Sequence, residues 1–219
     1  MMREALKTKK VFGDLGRRIL RGKGIDVGCG THPVFSDARR FDKQDGDANH
    51  ITDYVKDSFD YVFSSHCLEH TLNPFDALKD WWRLVKDGGH MYIIVPDEDL
   101  YEMGTWPSLS NPDHKWTFTI SKQKSWSPVS INVLDLIREL PDCYPVRIAV
   151  QDNHYDYTLK GWDQTQGKAL AQIQFVLRKG PIKEGWRTLK KLPGWLKPFV
   201  NLLFFFPKLR RKLRYRCLK

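Results

Sequence analysis

The stretch GIDVGCG at residues 24–30 decides the fold class of this chain. Its first four residues have the composition of a short buried strand, and Gly28 and Gly30 follow where that strand would end. Glycines at this point let the backbone turn sharply and approach a ligand closely. A short glycine motif also occurs in ordinary tight turns, so its interpretation depends on the elements that follow it.

Strands and helices alternate after this motif. Segments with strand composition lie at residues 40–42, 59–65, 91–95, 146–150 and 171–177. One helix is predicted from the cap residue Asn73 to Gly88-Gly89, and a second is predicted to open at Ser127-Pro128. This alternation predicts an α/β, Rossmann-like fold, a mostly parallel twisted sheet with helices on both faces. Ligands of such sheets bind beyond the carboxyl ends of the strands.

The positive charge of the chain is concentrated at one end. The 219 residues include 36 Lys or Arg and 26 Asp or Glu, a net charge of +10. Residues 181–219 hold twelve of these bases and one acid, Glu184, so 24 bases and 25 acids remain before them. We therefore divide the chain into a basic N-terminal lead-in at 1–23, an α/β domain at 24–180 and a basic aromatic tail at 181–219.

The spacing of the potential metal ligands and the hydropathy exclude several classes of protein. The four cysteines are widely spaced without a CxxC pair, which disfavours a zinc site or a disulfide framework and suits reduced cytosolic thiols. No group of histidines and acids has the spacing of metal ligands, so no metal is predicted. The N-terminus lacks the apolar core of a signal peptide, and the apolar stretch at 195–206 is too short to cross a bilayer.

Three segments in a fixed order resemble a known family. GIDVGCG is followed by SFDYVFSSHCLEH at 58–70, and then KDGG at 86–89 precedes MYIIVPD at 91–97. In this order they resemble the class I S-adenosylmethionine (SAM)-dependent methyltransferases, in particular the subgroup with a Leu-Glu-His signature, here Leu68-Glu69-His70. The resemblance implies SAM as the cofactor and methyl transfer as the reaction.

The resemblance also implies a set of cofactor-binding residues. Asp26, Gly28 and Gly30 would line the methionine end of SAM, and Asp42 would hold the ribose. Asp53 would face the adenine amino group, and Ser65 and His66 would border the sulfonium. The complete predicted set is Asp26, Gly28, Cys29, Gly30, Asp42, Asp53, Tyr54, Ser65 and His66.

Because of two departures from the family pattern, more than one acid could bind the ribose and the adenine. His32-Pro33 stands where the family often has a further glycine, and the short distance from Gly30 to Asp42 requires an abbreviated first helix. Asp45 or Asp47 could therefore replace Asp42, and Asp47 could compete with Asp53. The alternative Rossmann class, a dinucleotide enzyme, needs a third glycine and a pyrophosphate site that this motif lacks.

Histidines are the candidate catalytic groups. A hydroxyl acceptor must lose its proton, and general-base help is worth ~10²–10⁴-fold. His66 follows a strand next to the expected methyl group, and His114 lies in a long loop after Val95 that could cover the acceptor. His70 is interpreted as structural, bonding a backbone group. Aromatic residues of the same loop, Tyr101 and Trp106, suit a sugar ring.

These features favour O-methylation of a glycan or glycolipid intermediate. The family resemblance extends to members that modify cell-surface polysaccharides, and the basic aromatic tail suits an anionic membrane surface. We therefore expect a cytoplasmic enzyme that is peripheral on the inner face of the membrane. The alternatives are methylation of a quinone-like small molecule, methylation of RNA, and a non-catalytic scaffold with the same fold. RNA is less favoured, because Ser64-Ser65-His66-Cys67 is not an Asn/Asp-Pro-Pro-Tyr/Phe motif.

Overall fold

A computed structural model of the protein describes residues 4–31, 33–159 and 161–180. The strands are β1 (Gly24–Val27), β2 (Arg39–Phe41), β3 (Phe59–Ser65), β4 (Val85–Pro96), β5 (Thr117–Thr119), β6 (Ser130–Asn132), β7 (Cys143–Gln151) and β8 (Gln172–Lys179). The α-helices are α1 (Glu4–Val11), α2 (Gly13–Ile19), α3 (Ile51–Tyr54), α4 (Pro74–Arg83) and α5 (Val133–Arg138). Short 3-10 turns span Ala48–His50, Leu68–His70 and Gln164–Gln166.

Six strands form one sheet in the order β2-β1-β3-β4-β8-β7. The first four run parallel to one another, whereas β8 is antiparallel to both β4 and β7. Strands β5 and β6 form a separate parallel pair. The predicted Rossmann-like α/β fold with a mostly parallel sheet is therefore confirmed.

Helices cover both faces of this sheet. On one face, Phe12 packs against Phe63 of β3 and Tyr92 of β4, and α2 buries Ile19. On the other face, α4 buries Trp81 and Trp82. The short helices α3 and α5 contribute buried residues to the same core. The described residues between β1 and β2 form no helix, so α1 and α2 occupy the face that such a helix would cover. The predicted lead-in thus shares the core of the domain.

The helix α4 ends earlier than its sequence predicts. Asn73 caps it as expected, since its side chain accepts the N–H of Phe75, 3.0 Å away. The helix stops at Arg83 rather than at Gly88-Gly89, because the Phe59 N–H binds the Leu84 carbonyl at 2.8 Å. The two glycines lie inside β4, where Gly88 has a φ of 81°.

The helix predicted to open at Ser127-Pro128 is α5, and it begins at Val133. The preceding residues form β6, which pairs with β5. Asn132 ends that strand and caps the helix, because its side chain accepts the Leu134 N–H at 2.9 Å. Pairing between strands therefore replaces the first helical turn that the sequence suggests.

The predicted tail at 181–219 lies outside the described residues, so the division into domain and tail stays a prediction. Among residues 4–31, 33–159 and 161–180, no helix combines the length and the hydropathy that crossing a bilayer requires.

Candidate active site

The glycine motif forms a tight turn at the carboxyl end of β1. Gly28 has a φ of 78°, and its N–H donates to the Phe41 carbonyl of β2 at 2.8 Å. A Cβ atom at Gly28 would lie 2.4 Å from the Cβ of Cys67, closer than two carbon atoms can approach. The turn therefore needs glycine at this position for both its backbone angle and its packing.

Asp26 lies beneath this turn and supports it. Its buried carboxylate accepts the Val34 N–H at 2.6 Å, which ties the chain after the turn back to β1. Burial raises the pKa of Asp26 to about 7 despite that hydrogen bond, and the negative charge of Asp42 adds to the rise. Asp26 is absent from the lining of the adjoining cavity, so its contact is with the turn.

A cavity of about 690 Å³ opens beyond the carboxyl ends of β1, β2 and β3. This is the edge of the sheet at which ligands bind in open α/β folds. The cavity is lined by Gly28, Asp42, Lys43, Gly46, Asp47, Ala48, Asn49, Tyr54, His66, Cys67, His70, Thr71, Asn111 and Asp113.

The predicted cofactor residues divide into three groups around this cavity. Those in its lining are Gly28, Asp42, Tyr54 and His66. Those adjacent in the chain or hydrogen-bonded to lining residues, but outside the lining itself, are Asp26, Cys29, Gly30 and Ser65. Asp53 differs from both groups, because it is exposed and does not line the cavity. The structure therefore brings most of the predicted set together at one edge.

The position of Asp42 distinguishes it from its neighbouring acids. Its carboxylate accepts the Gly30 N–H at 2.5 Å and the Lys43 N–H at 2.8 Å, which fixes it at the cavity wall. Asp45 accepts the backbone N–H of Asp42 and pairs with Arg40, and it does not line the cavity. Asp42 thus stays the candidate for the ribose.

The turn at Asp47-Ala48-Asn49 forms part of the cavity wall. Of its three residues, the sequence pattern indicated only Asp47. The Asp47 carboxylate accepts the Asn49 N–H at 2.9 Å, and this bond lowers its pKa. An aspartate whose side chain accepts the N–H two residues later is a capping pattern. This pattern in the sequence could have indicated the turn. Since Asp47 lines the cavity and Asp53 does not, the geometry favours Asp47 beside the adenine.

His66 connects the cavity to the interior of the sheet. It follows β3 with a φ of 55°, and its Nε2 lies 2.9 Å from Oε1 of Gln172. The Gln172 amide donates to Thr8 and Gln151, so its oxygen accepts the Nε2–H of His66. The other ring nitrogen, Nδ1, lies 3.4 Å from Oε1 of Glu69.

His114 lies deeper than its sequence position suggests. Its side chain is 2% exposed, and its Nδ1 lies 2.7 Å from Oε1 of Glu102. The ring packs against Tyr101, with 5.3 Å between the ring centres, and Tyr101 also faces His66. An acceptor in the cavity therefore meets His66 before it can meet His114.

Glu69 occupies the centre of these histidines. It is fully buried, and neither carboxylate oxygen has a hydrogen-bond partner among the described residues. Burial raises its pKa, but the imidazoles of His66, His114 and His70 more than offset this and hold the pKa below its usual range. His70, predicted to be structural, does bond a backbone group, the Asp113 carbonyl at 3.1 Å.

Comparison with known proteins identifies the class of enzyme. A family model described as a methyltransferase domain matches residues 3–126, more than half of the chain. The chain belongs to this methyltransferase family. No curated protein matches the enzyme.

Several solved structures are similar to the enzyme. A SAM-dependent methyltransferase from Clostridium acetobutylicum is 10% identical over 83% of this chain and 93% of its own, with a TM-score of 0.48. The plantazolicin methyltransferase BamL, solved with a triazolic desmethylPZN analog and SAH, is 14% identical over 81% and 86%, with a TM-score of 0.49. A protein of echinomycin biosynthesis is 14% identical over 84% of both chains, with a TM-score of 0.49.

The cofactor of the enzyme is SAM, and the cavity fits it. Among the described residues, the lining contains three acids, Asp42, Asp47 and Asp113, and one lysine, Lys43, a balance that suits a sulfonium cation. No helix begins in the described part of the turn after β1, so the site offers no helix N-terminus to a phosphate. SAM has no phosphate and needs none. Gly28 and Cys67, which pack against each other, both lie in the wall of this cavity.

Removing the Asp42 carboxylate should weaken SAM binding. We expect Asp42→Ala to cost roughly 1.5–3 kcal/mol of binding free energy, the scale of a lost hydrogen bond to a charged group. Calorimetric titration with SAM measures this loss. Asp57→Ala is the control, because this acid pairs with Lys23 and Arg39 and does not line the cavity. If Asp45→Ala or Asp47→Ala lowers the affinity and Asp42→Ala does not, the ribose is bound by that other acid and the assignment of Asp42 is wrong.

The raised pKa of Asp26 predicts how stability depends on pH. The folded protein keeps the Asp26 proton up to about pH 7, whereas the unfolded chain loses it near the ordinary value of 3.8. The folded state therefore binds more protons between these values, and this contribution to stability is lost as the pH rises through 7. One such group changes the free energy of unfolding by at most about 1.4 kcal/mol per pH unit.

We expect Asp26→Asn to remove this slope from the free energy of unfolding, because an amide oxygen can still accept the Val34 N–H. Urea unfolding of the SAM-free protein between pH 4 and 8 measures it. Asp53→Asn, at an exposed carboxylate, is the control. Parallel pH profiles for the wild type and Asp26→Asn would contradict the prediction.

Proposed function

We propose that the enzyme O-methylates a hydroxyl group of a glycan or glycolipid intermediate at the cytoplasmic face of a membrane, within the Leu-Glu-His subgroup. The observation that carries the proposal is the imidazole of His66 in the cavity wall. A hydroxyl must lose its proton on methylation, and a histidine beside the cofactor is the side chain most suited to take it. The signature Leu68–His70 forms a 3-10 turn at the same wall.

The loop after β4 supports a sugar as the acceptor. Tyr101 lies partly exposed with its ring centre 6.2 Å from that of His66, so an aromatic surface adjoins the candidate proton acceptor. Trp106 and Leu109, further along the loop, keep apolar surface accessible. Aromatic side chains combine an apolar face with polar edges, which suits a ring that carries hydroxyl groups.

The predicted tail is the support for the membrane. Its twelve bases against one acid are interspersed with Trp195 and the run Phe204-Phe205-Phe206. Basic residues add about 1 kcal/mol each near an anionic leaflet, and aromatic residues favour the headgroup region. A lipid-linked acceptor would be found at that surface.

A transfer assay tests the acceptor. The purified enzyme is incubated with SAM labelled in its methyl group and with membrane lipids, lipid-free glycans, quinones or RNA in separate reactions. We expect label in the glycolipid or glycan fraction, in a bond that is stable to ester hydrolysis, as an ether is. Label in the quinone or RNA fraction alone would replace the proposed acceptor. Heat-treated enzyme is the control.

Deleting residues 192–219 should release the protein from anionic vesicles and leave SAM binding unchanged. Eight of the twelve bases of the tail, and no acid, lie in the deleted part, whereas the cavity residues lie before residue 114. Cosedimentation with vesicles of phosphatidylcholine and phosphatidylserine measures this, with phosphatidylcholine alone as the control. Salt should weaken binding in part, since screening shortens the reach of surface charge. Full-length protein that stays unbound at low salt would exclude membrane docking.

A further inference from the structure

Three side chains from distant parts of the chain converge behind the cavity wall. Glu69 and His70 belong to the 3-10 turn after β3, and His114 belongs to the loop after β4. We call them the Glu69 cluster. Their potential ligand atoms all lie within 4.8 Å of one another. Oε1 of Glu69 is 3.9 Å from Nε2 of His114 and 4.0 Å from Nε2 of His70.

These distances are close to those of a shared metal ion. Zinc binds histidine nitrogen and carboxylate oxygen at about 2.0–2.2 Å in a tetrahedral arrangement, which places two ligand atoms roughly 3.4 Å apart. The two Glu69–histidine distances exceed this value by about 0.5–0.6 Å, and no separation in the cluster exceeds it by more than about 1.4 Å. Binding of an ion would draw the three side chains together by these amounts.

The outer partners of both histidines aim their Nε2 atoms at Glu69. Nδ1 of His70 faces the Asp113 carbonyl, which can only accept, so Nδ1 holds a proton, and in the neutral imidazole Nε2 then has the free electron pair. Nδ1 of His114 faces the Glu102 carboxylate in the same way. Metal-binding histidines characteristically donate their second N–H to a carboxylate or a backbone carbonyl, and both histidines have this arrangement.

The charge in the cluster is not balanced by hydrogen bonds. Glu69 is fully buried, and neither of its oxygens meets the geometry of a hydrogen bond among the described residues; the nearest ring nitrogen, Nδ1 of His66, lies 3.4 Å from Oε1. A buried carboxylate without partners is costly, and electron pairs that face one another repel. A cation at the centre would satisfy all three side chains at once.

We propose that Glu69, His70 and His114 bind one divalent cation of the zinc type, with Glu102 as the positioning residue for His114. Two histidines and one glutamate form a ligand set that suits zinc and leaves one coordination position open. His70 also lines the cavity, and its side chain is 32% exposed, so the open position is on the cavity side. An oxygen ligand fills that position, water in the free protein. In a further role that rests on the proposed function, the acceptor hydroxyl replaces the water.

Metal titration of the untagged full-length protein tests this site. After dialysis against a chelator, the protein is titrated with Co²⁺, followed by its visible absorption, and with Zn²⁺, in competition with a chromophoric chelator. We expect one equivalent of Co²⁺ with a visible band, displaced by Zn²⁺. His70→Asn and Glu69→Gln should weaken binding at least tenfold, and Glu102→Gln about 10–100-fold, the scale for an outer partner.

His50→Asn is the matched control, because this histidine is exposed and outside the cluster. If Glu69→Gln fails to fold, His70→Asn decides, since its side chain is partly exposed. Absence of a cobalt band in the wild type, or equal affinity in His70→Asn, would overturn the proposal. The readout needs no acceptor. Metal binding without transfer to glycans would therefore contradict only the proposed function, and transfer without metal binding only the proposed site.

Discussion

The variant Gly28→Val should lose SAM binding while its sheet stays folded. Its new Cβ would lie 2.4 Å from the Cβ of Cys67, so the turn must shift, and the cavity wall shifts with it. Overpacking of this kind costs about 1–3 kcal/mol of folding stability when the turn keeps its position. Displacement of the turn relieves that cost and distorts the cavity wall, so we expect SAM affinity to fall at least roughly 100-fold, or about 3 kcal/mol. Calorimetric titration with SAM measures the loss, and far-ultraviolet circular dichroism checks the fold.

Gly161→Val separates crowding from backbone strain. Gly161 has a φ of 74°, close to the 78° of Gly28, but no atom lies within 4 Å of a Cβ placed there. The two variants therefore share the strain of a valine in the left-handed region and differ in the clash. Unchanged SAM affinity in folded Gly28→Val would contradict the assignment of the cavity to SAM.

Replacing His66 should have the largest effect on turnover. We expect His66→Ala to lower kcat by roughly 10²–10⁴-fold, the usual contribution of a positioned proton acceptor. The affinity for SAM should change much less, because a proton acceptor acts on the transition state. The rate is measured with the acceptor fraction from the transfer assay, and the affinity by calorimetry.

The comparison with other histidines makes this result specific. His50→Ala is expected to keep its turnover, because His50 is exposed and outside the cavity lining. His114→Ala is measured together with its cobalt binding, since the variant also removes a proposed ligand. Turnover that survives His66→Ala and disappears in His114→Ala, with metal added in excess, would assign the proton acceptor to His114.

Local sequence patterns were sufficient to predict the centre of the fold. β1 and β3 have the predicted bounds, because each is a short apolar segment that is buried almost throughout. The glycine turn was predictable as well, since few residues other than glycine adopt the backbone angle found at Gly28. The acid after β2 followed from its place at the end of a strand.

Hydrogen bonds between distant parts of the chain determine where α4 ends and α5 begins, and local sequence patterns do not predict these positions. The end of α4 depends on the bond between Phe59 and Leu84, which are 25 positions apart and share no local pattern. Glycines 88 and 89 have the composition of a helix stop, yet they lie in a strand. The start of α5 likewise depends on the pairing of β6 with β5.

The Glu69 cluster shows the same limit for side chains. No metal was predicted, because spacing rules apply to ligands that share one element or one short loop. His114 reaches Glu69 from another part of the chain, where the Lys115 N–H binds the Glu69 carbonyl at 2.9 Å. This backbone hydrogen bond holds the two loops together and brings His114 close to Glu69. The periodicity of the sequence gives no indication of this contact.

The interior position of β8 has a consequence for synthesis. β8 is the last strand of the described chain, yet it lies between β4 and β7 and carries Gln172, which holds His66. While a ribosome is still translating this region, the nascent chain has two unpaired strand edges, and the contact between His66 and Gln172 has not formed. Open edges recruit other chains, so this interval is the one in which the protein most needs a chaperone. The enzyme becomes competent only when the emerging chain has placed β8.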